Sequence, residues 1–229
     1  GLMLANLLAA HLVRFKLSWK RAGVVLLHSG MVVLFVGEFV TREFQVEQNM
    51  RIAEGESTNY AVDTRNYELA FVYATQPGTD TVTVVPARML RDAARTGEKV
   101  THPDLPVDLA VLKYFANADI VAVDKAEGKE NLATTGIGTS ALATERKEAT
   151  GVENDEEDYP TAYVRLFRKG TEEAVGTYLV SKMLPKVQAV DVAGKTVGMT
   201  LRNTHIYKPY RMELVKFDFD QYIGTSKAK

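Results

Sequence analysis

Few side chains in this sequence could do more than fold. Its 229 residues include four histidines and no cysteine. Thiol–disulfide exchange and thiolate metal sites are therefore excluded. One histidine has an unusual setting: His28 lies inside AGVVLLHSGMVVLFVGEFV, Ala22–Val40, which carries no charge before Glu38. A neutral imidazole there has two uses. It can hydrogen-bond a backbone carbonyl or a helix neighbour, or it can be an axial ligand to a haem iron. An ionisable residue inside an apolar span is a functional hypothesis by default. The residues alone leave both uses open.

At 100° per residue, His28 lies about 140° around a helix from the line of Gly23, Gly30 and Gly37. Val24, Phe35 and Phe39 share its face, with Met31 and Val32 alongside. Met31, Phe35 and Phe39 are thus the candidate lining of any pocket at His28. The glycines recur every seven residues and would let a neighbouring helix approach closely.

The run is long enough to cross a hydrocarbon core of ~30 Å. A buried helix of a soluble protein is the competing reading. The flanks favour the membrane: Arg14, Lys16, Lys20 and Arg21 crowd one side, as on a cytoplasmic face. Glu38, Glu43, Glu47, Glu54 and Glu56 beyond the run say little about orientation. A cleavable signal sequence would begin at the N-terminus, whereas here an apolar stretch precedes the basic loop.

The expected organisation follows. Residues 1–13 are the end of an earlier transmembrane helix, cut by the chain boundary. Residues 14–21 form a cytoplasmic basic loop, with Trp19 suited to the headgroup layer. Residues 22–41 are the transmembrane helix, and 42–229 form an extracytoplasmic β-rich domain. Alternation and turn residues predict strands at Tyr67–Thr75, Thr81–Val85, Val107–Phe115, Thr161–Arg168 and Ala174–Ser181. A hairpin is expected at Lys186–Leu201 around Ala193-Gly194, with a last strand over Arg211–Asp220. Its apolar phase slips between Leu214 and Phe217, as at a β-bulge. Pro86–Arg95 reads as a short helix. Residues 126–158 read as a flexible excursion. The expected fold class is membrane-anchored α+β: a transmembrane helix plus a mostly antiparallel extracytoplasmic β-sandwich or open barrel of about eight strands.

Other motifs carry little chemistry. TTGIGTS lacks the lysine and the strand-to-helix setting of a phosphate loop. The acidic run Glu153–Asp158 lacks calcium-loop spacing. His11 reads as interfacial. His102 and His205 read as surface histidines, with transient haem contact the sharper alternative. There is no Ser/His/Asp or Cys/His constellation. The net charge of -1 makes no electrostatic case for nucleic acid.

The order of parts resembles a known family. FKLSWKRAGVVLLHSGMVVLFVGEFVT followed by MRIAEGE, and IYKPYRMELVKFDFDQYIGT near the end, are similar to segments of the ResB-like proteins of cytochrome c biogenesis, system II. ANLLAAHLVRF resembles the close of the family's preceding span. The likeness covers residues 2–56 and 178–225; the middle matches only as a β-rich domain.

The resemblance implies a multi-pass protein of the bacterial cytoplasmic membrane, its large domain facing outward. It would be a non-catalytic subunit of a haem-attachment (synthetase) complex. A ResC/CcsA-like membrane protein would be its partner, and haem b would be delivered to apocytochrome c. A thioredoxin-like reductant would keep the acceptor cysteines reduced. His28 alone inherits a haem-ligand role. The family's further spans before Gly1 and after Lys229 are absent from this sequence. The alternative is a membrane-tethered β domain with a structural or sensing role and no haem.

Overall fold

In the computed structural model the described residues are 2–14, 19–76, 79–126, 128, 130–148, 157–184 and 186–219. The chain divides into two units, Gly1–Glu47 and Gln48–Lys229, whose natures differ as their compositions do.

The first unit is helical. Helix α1 spans Leu2–Arg14, a 3-10 turn covers Trp19–Arg21, and α2 spans Ala22–Phe44. At 1.5 Å per residue α2 is about 35 Å long, running past the expected end at residue 41. Among the described residues it is the one helix long and apolar enough to cross a membrane. None of its side chains is buried. Its partly covered positions are Ala22, Val25, His28, Val32 and Phe35, and those of α1 are Leu4, Leu7 and Ala10. Such spacings of three and four define one stripe on each helix, and the two helices pack together. The glycine line of α2 is not used by α1: a Cβ placed at Gly23, Gly30 or Gly37 would meet nothing within 4 Å.

The second unit is β-rich. Its strands are β1 (Gln48–Asn49), β2 (Ser57–Gln76) and β3 (Thr79–Pro86), followed by helix α3 (Ala87–Thr96). Then come β4 (Val107–Phe115), β5 (Ala118–Ala122), β6 (Ala141–Glu145), β7 (Thr161–Arg168), β8 (Ala174–Ser181), β9 (Gln188–Val192) and β10 (Lys195–Glu213). A five-stranded sheet runs β1-β2-β10-β9, with β3 also on β2; a second sheet is β4-β7-β8, and β5 pairs with β6. Every strand pair named is antiparallel, and an isolated bridge between Thr135 and Tyr178 is parallel. The fold is thus α+β with mostly antiparallel sheets.

One core joins the two larger sheets. Leu69, Phe71, Val190 and Met199 from the first meet Leu109, Val164, Leu166 and Val180 from the second, with Leu90 of α3 in the same cluster. At roughly 25 cal/mol per Å² of apolar surface removed from water, each such side chain stabilises the fold by about 1.5–3 kcal/mol. Helix α3 buries Ala87, Leu90 and Ala93 at a spacing of three. It starts after Pro86, whose fixed φ suits a helix entrance. It ends at Gly97 in the left-handed region (φ 75°), where the glycine N–H donates to Ala93 O at 2.9 Å.

Several expectations change. The stretch read as an excursion contains β6, a 3-10 turn at Gly136–Thr139 and buried Leu142 and Ala143; residues 149–156 within it lie outside the described residues. The hairpin strand at Lys195–Leu201 runs on as β10 to Glu213, so it takes in only the first three residues of the strand expected over Arg211–Asp220; residues 214–219 are not in a strand. The register shifts of β10 against β2 fall between Asn203 and His205 and between Tyr207 and Met212. The slip expected between Leu214 and Phe217 falls after β10 has ended at Glu213. The second shift belongs to Lys208-Pro209, because proline has no N–H for the ladder. Pro77 and Gly78 of the expected turn and the last residues, Asp220 onward, lie outside the described residues.

Candidate functional site

His28 sits on the α1-facing side of α2, half-buried. Its Nδ1 lies 2.8 Å from the carbonyl oxygen of Val24, one turn back. A carbonyl only accepts, so this bond requires Nδ1–H, and Nε2 then carries the ring's lone pair. A histidine oriented in this way is a competent metal ligand, because a backbone carbonyl on one nitrogen fixes the tautomer and raises the basicity of the other. Phe35, two turns on, lies on the same partly covered stripe. Met31 and Phe39, expected as pocket lining, are exposed at 40% and 59%.

The β domain holds a second polar centre that the sequence did not reveal. Between Val62 and Tyr67, β2 leaves its register with β10: Tyr67 faces Asn203 and Val62 faces His205. The residues between form a turn organised by Asp63, which accepts from the N–H of Arg65 (2.8 Å), the N–H of Asn66 (3.1 Å) and the Asn66 side chain (3.0 Å). These bonds hold its carboxyl below the usual range against the opposing effect of burial. The Asx-type turn in Asp63-Thr-Arg-Asn66 was the available signal.

Beside this turn, Glu68 is buried at 3% exposure. Its Oε1 accepts from Arg202 Nε at 3.1 Å and from the His205 N–H at 3.4 Å. Arg202 Nη2 lies 3.0 Å from the same oxygen but makes no hydrogen bond there. The His205 ring stacks on Tyr60, with centroids 4.2 Å apart and planes 12° apart. Burial, and then the Arg202 charge, push the imidazole down to about 4, so it is neutral at physiological pH. Its structural setting differs from the surface histidine expected.

A cleft of about 560 Å³ opens here, lined by the Asp63–Glu68 turn, the start of α3 with Arg88 and Arg91, Tyr114, Thr204 and His205. Burial raises the hydroxyl pKa values of Tyr67 and Tyr114. Tyr67 donates to Asp158 O at 3.2 Å.

The other histidines add little. His102 is exposed, and its Nδ1 accepts from the Asp104 N–H at 3.3 Å. The side chain of His11 lies outside the described residues. The TTGIGTS stretch is a packing device. Ile137 N–H is donated to Gln188 Oε1 at 3.0 Å, and a Cβ at Gly138 would sit 2.4 Å from Ala133 Cβ. Within the acidic run, Glu157 pairs with Lys182; residues 153–156 lie outside the described residues. Among the described residues no three His, Asp or Glu side chains gather as a metal site.

No protein-family model matches the chain, and no curated protein matches it.

Proposed function

We propose that this chain is a membrane-anchored subunit of a cytochrome c maturation complex of the ResB-like kind, with α2 in the bilayer and the β domain outside. The observation that carries the reading is the His28 geometry: an imidazole inside the apolar helix whose Nδ1–H is taken by Val24 O, which makes Nε2 the ligating atom. Haem is the cargo in this reading. His28 Nε2 would hold its iron on one side, and Phe35 would exclude water beside it. A ResC/CcsA-like partner would supply the opposing ligand and cover Met31 and Phe39, whose exposure fits an unfinished wall. The iron would lend the complex nothing chemical until haem reaches the reduced thiols of apocytochrome c. The β domain would serve as the platform for that encounter.

The test is haem spectroscopy on the full-length protein purified with its membrane partner. A Soret band that His28→Ala weakens, at unchanged protein level, is the expected result. Unchanged haem content in that variant would remove the ligand role.

A second reading has one observation in its favour. His28 lies on the stripe that meets α1, so it also fits a helix-packing residue of a tethered β domain that handles no haem. The same variant separates the two: the packing role predicts a weakened helix pair and no haem in the wild type.

A further inference from the structure

Strand β3 is a sheet edge whose middle carries no protection. It pairs with β2, from Pro86 opposite Glu68 to Thr79 opposite Gln76, and among the described residues no other strand pairs with it. In an antiparallel pair, alternate residues of the outer strand turn their N–H and C=O away from the partner. Folded proteins ordinarily blunt such an edge with a charge, a proline or a bulge. Here Asp80 and Pro86 stand near the two ends, and the register shift against β2, between Ala74 and Gln76, lies at the hairpin end. Residues 81–85 between them, TVTVV, are β-branched and uncharged. By contrast β9, on the other flank of the same sheet, carries exposed Asp191 within its five residues.

Thr81, Val82 and Thr83 all line a cleft of about 1020 Å³. Successive side chains of a strand point to opposite faces. Three lining residues in a row therefore put the cleft beside the backbone of β3 and not over one face. Residues 103–106 also line it, and Thr83 Oγ1 donates to Asp104 O at 3.1 Å, which sets that loop beside the strand. The loop is held from its other contacts too: Lys169 Nζ donates to Pro103 O at 2.9 Å, to Leu105 O at 2.7 Å and to His102 O. It cannot complete the β3 ladder. Pro103 and Pro106 have no N–H, and the N–H groups of Asp104 and Leu105 are donated to His102 Nδ1 and His102 O.

We propose that β3 takes up an extended segment of another polypeptide as an added strand, bound through the outward ladder groups of β3 and seated in the cleft beside residues 103–106. Main-chain hydrogen bonds hold the segment, and β-branched or aromatic side chains at its alternate positions match the run TVTVV. The cleft exceeds most small-molecule sites, roughly 300–1,000 Å³, and a row of ladder groups is satisfied by another main chain rather than by a lipid or a metabolite. The surface is separate from His28 and stands whether or not the chain handles haem.

The experiment is fluorescence anisotropy of a labelled peptide, QTVTVTQ with blocked ends, titrated with the full chain in a neutral detergent. Hydrogen exchange of the β3 amides is followed in parallel by mass spectrometry. Saturable binding with slowed exchange over residues 79–86 is expected. Val82→Lys, which sets a charge at the edge, should weaken binding about tenfold or more. Met89→Lys, at an exposed position of α3, should leave it unchanged. Two further peptides are methylated on one or the other set of alternate backbone nitrogens. They keep the side chains and each lose the ladder on one edge, so at least one should fail to bind with the protein unaltered. A linear response, unchanged exchange in β3, full binding by Val82→Lys, equal loss in Met89→Lys, or binding of both methylated peptides at the parent's affinity overturns the proposal. A dimer of the peptide-free chain whose β3 amides are already protected, and become exposed in Val82→Lys, overturns it in favour of a second copy on this edge.

Discussion

Glu68 and Arg202 form an ion pair across β2 and β10, with the Glu68 side chain 4% exposed and the Arg202 side chain 21%. The pair lies next to the point where the two strands lose register, and the same carboxylate oxygen also receives the His205 N–H. Removing one member strands the other's charge in a place that water barely reaches. Glu68→Ala should therefore destabilise the β domain by about 3–5 kcal/mol, while Glu68→Leu with Arg202→Met should recover most of that. Urea unfolding followed by tyrosine fluorescence reads both. A loss below about 1 kcal/mol in Glu68→Ala would place the pair among weak surface bridges instead.

His205 gives the domain a defined pH response. Its folded pKa is about 4, against an ordinary 6.5. Between those values the unfolded chain binds a proton that the folded chain refuses. Stability from this group is complete above pH 6.5, falls as pH drops toward 4, and changes no further below it. His205→Gln should flatten that part of the curve. The measurement is the urea midpoint at pH 7, 5.5 and 4.5 for both proteins; parallel curves would contradict the assignment.

Gly138 is fixed by contact. A Cβ there would lie 2.4 Å from Ala133 Cβ and 2.8 Å from Leu179 Cβ. Gly138→Ala should cost about 1–3 kcal/mol through forced backbone movement. Gly170→Ala makes a useful contrast: nothing lies within 4 Å, and the strain comes from its φ of +69°. It should cost about 1 kcal/mol. Thermal unfolding of the two variants should rank them in that order.

For His28 the sharpest check is chemical rescue. His28→Gly in membranes that contain the partner should lose Soret absorbance, and added imidazole should restore part of it. A variant that loses the band and does not respond to imidazole would point to helix packing rather than ligation.

The elements legible in the sequence were those with a regular period and clear ends. Val107–Phe115, Thr161–Arg168 and Ala174–Ser181 coincide with β4, β7 and β8, because apolar side chains over the core and turn residues at the ends define them locally. Helix α3 was readable from Pro86 and Gly97 for the same reason. Strands β5 and β6 were not. They are only five residues each, and their place is set with Tyr163, whose hydroxyl accepts from the Ala143 N–H at 3.0 Å. That contact exists only once β7 is in position. The cleft was invisible for a related reason: Arg65, Arg88 and His205 line it from β2, α3 and β10, which no local pattern brings together. His28 stood out because a lone imidazole in an apolar helix contrasts with its immediate neighbours, and its bond to Val24 is local as well.

The pairing of β2 with β10 also governs how the molecule can be made. Glu68 and Arg202 are 134 residues apart in the chain, and β2 is the first long strand of its unit while β10 is the last. A ribosome releases on the order of 5–20 residues each second, so β2 waits several seconds with one side of its ladder open. Over that interval it is an adhesive edge of the kind that recruits foreign strands. Any helper that shields a nascent chain has its natural target there, and a polypeptide ended before Lys195 would keep that edge open for its whole lifetime.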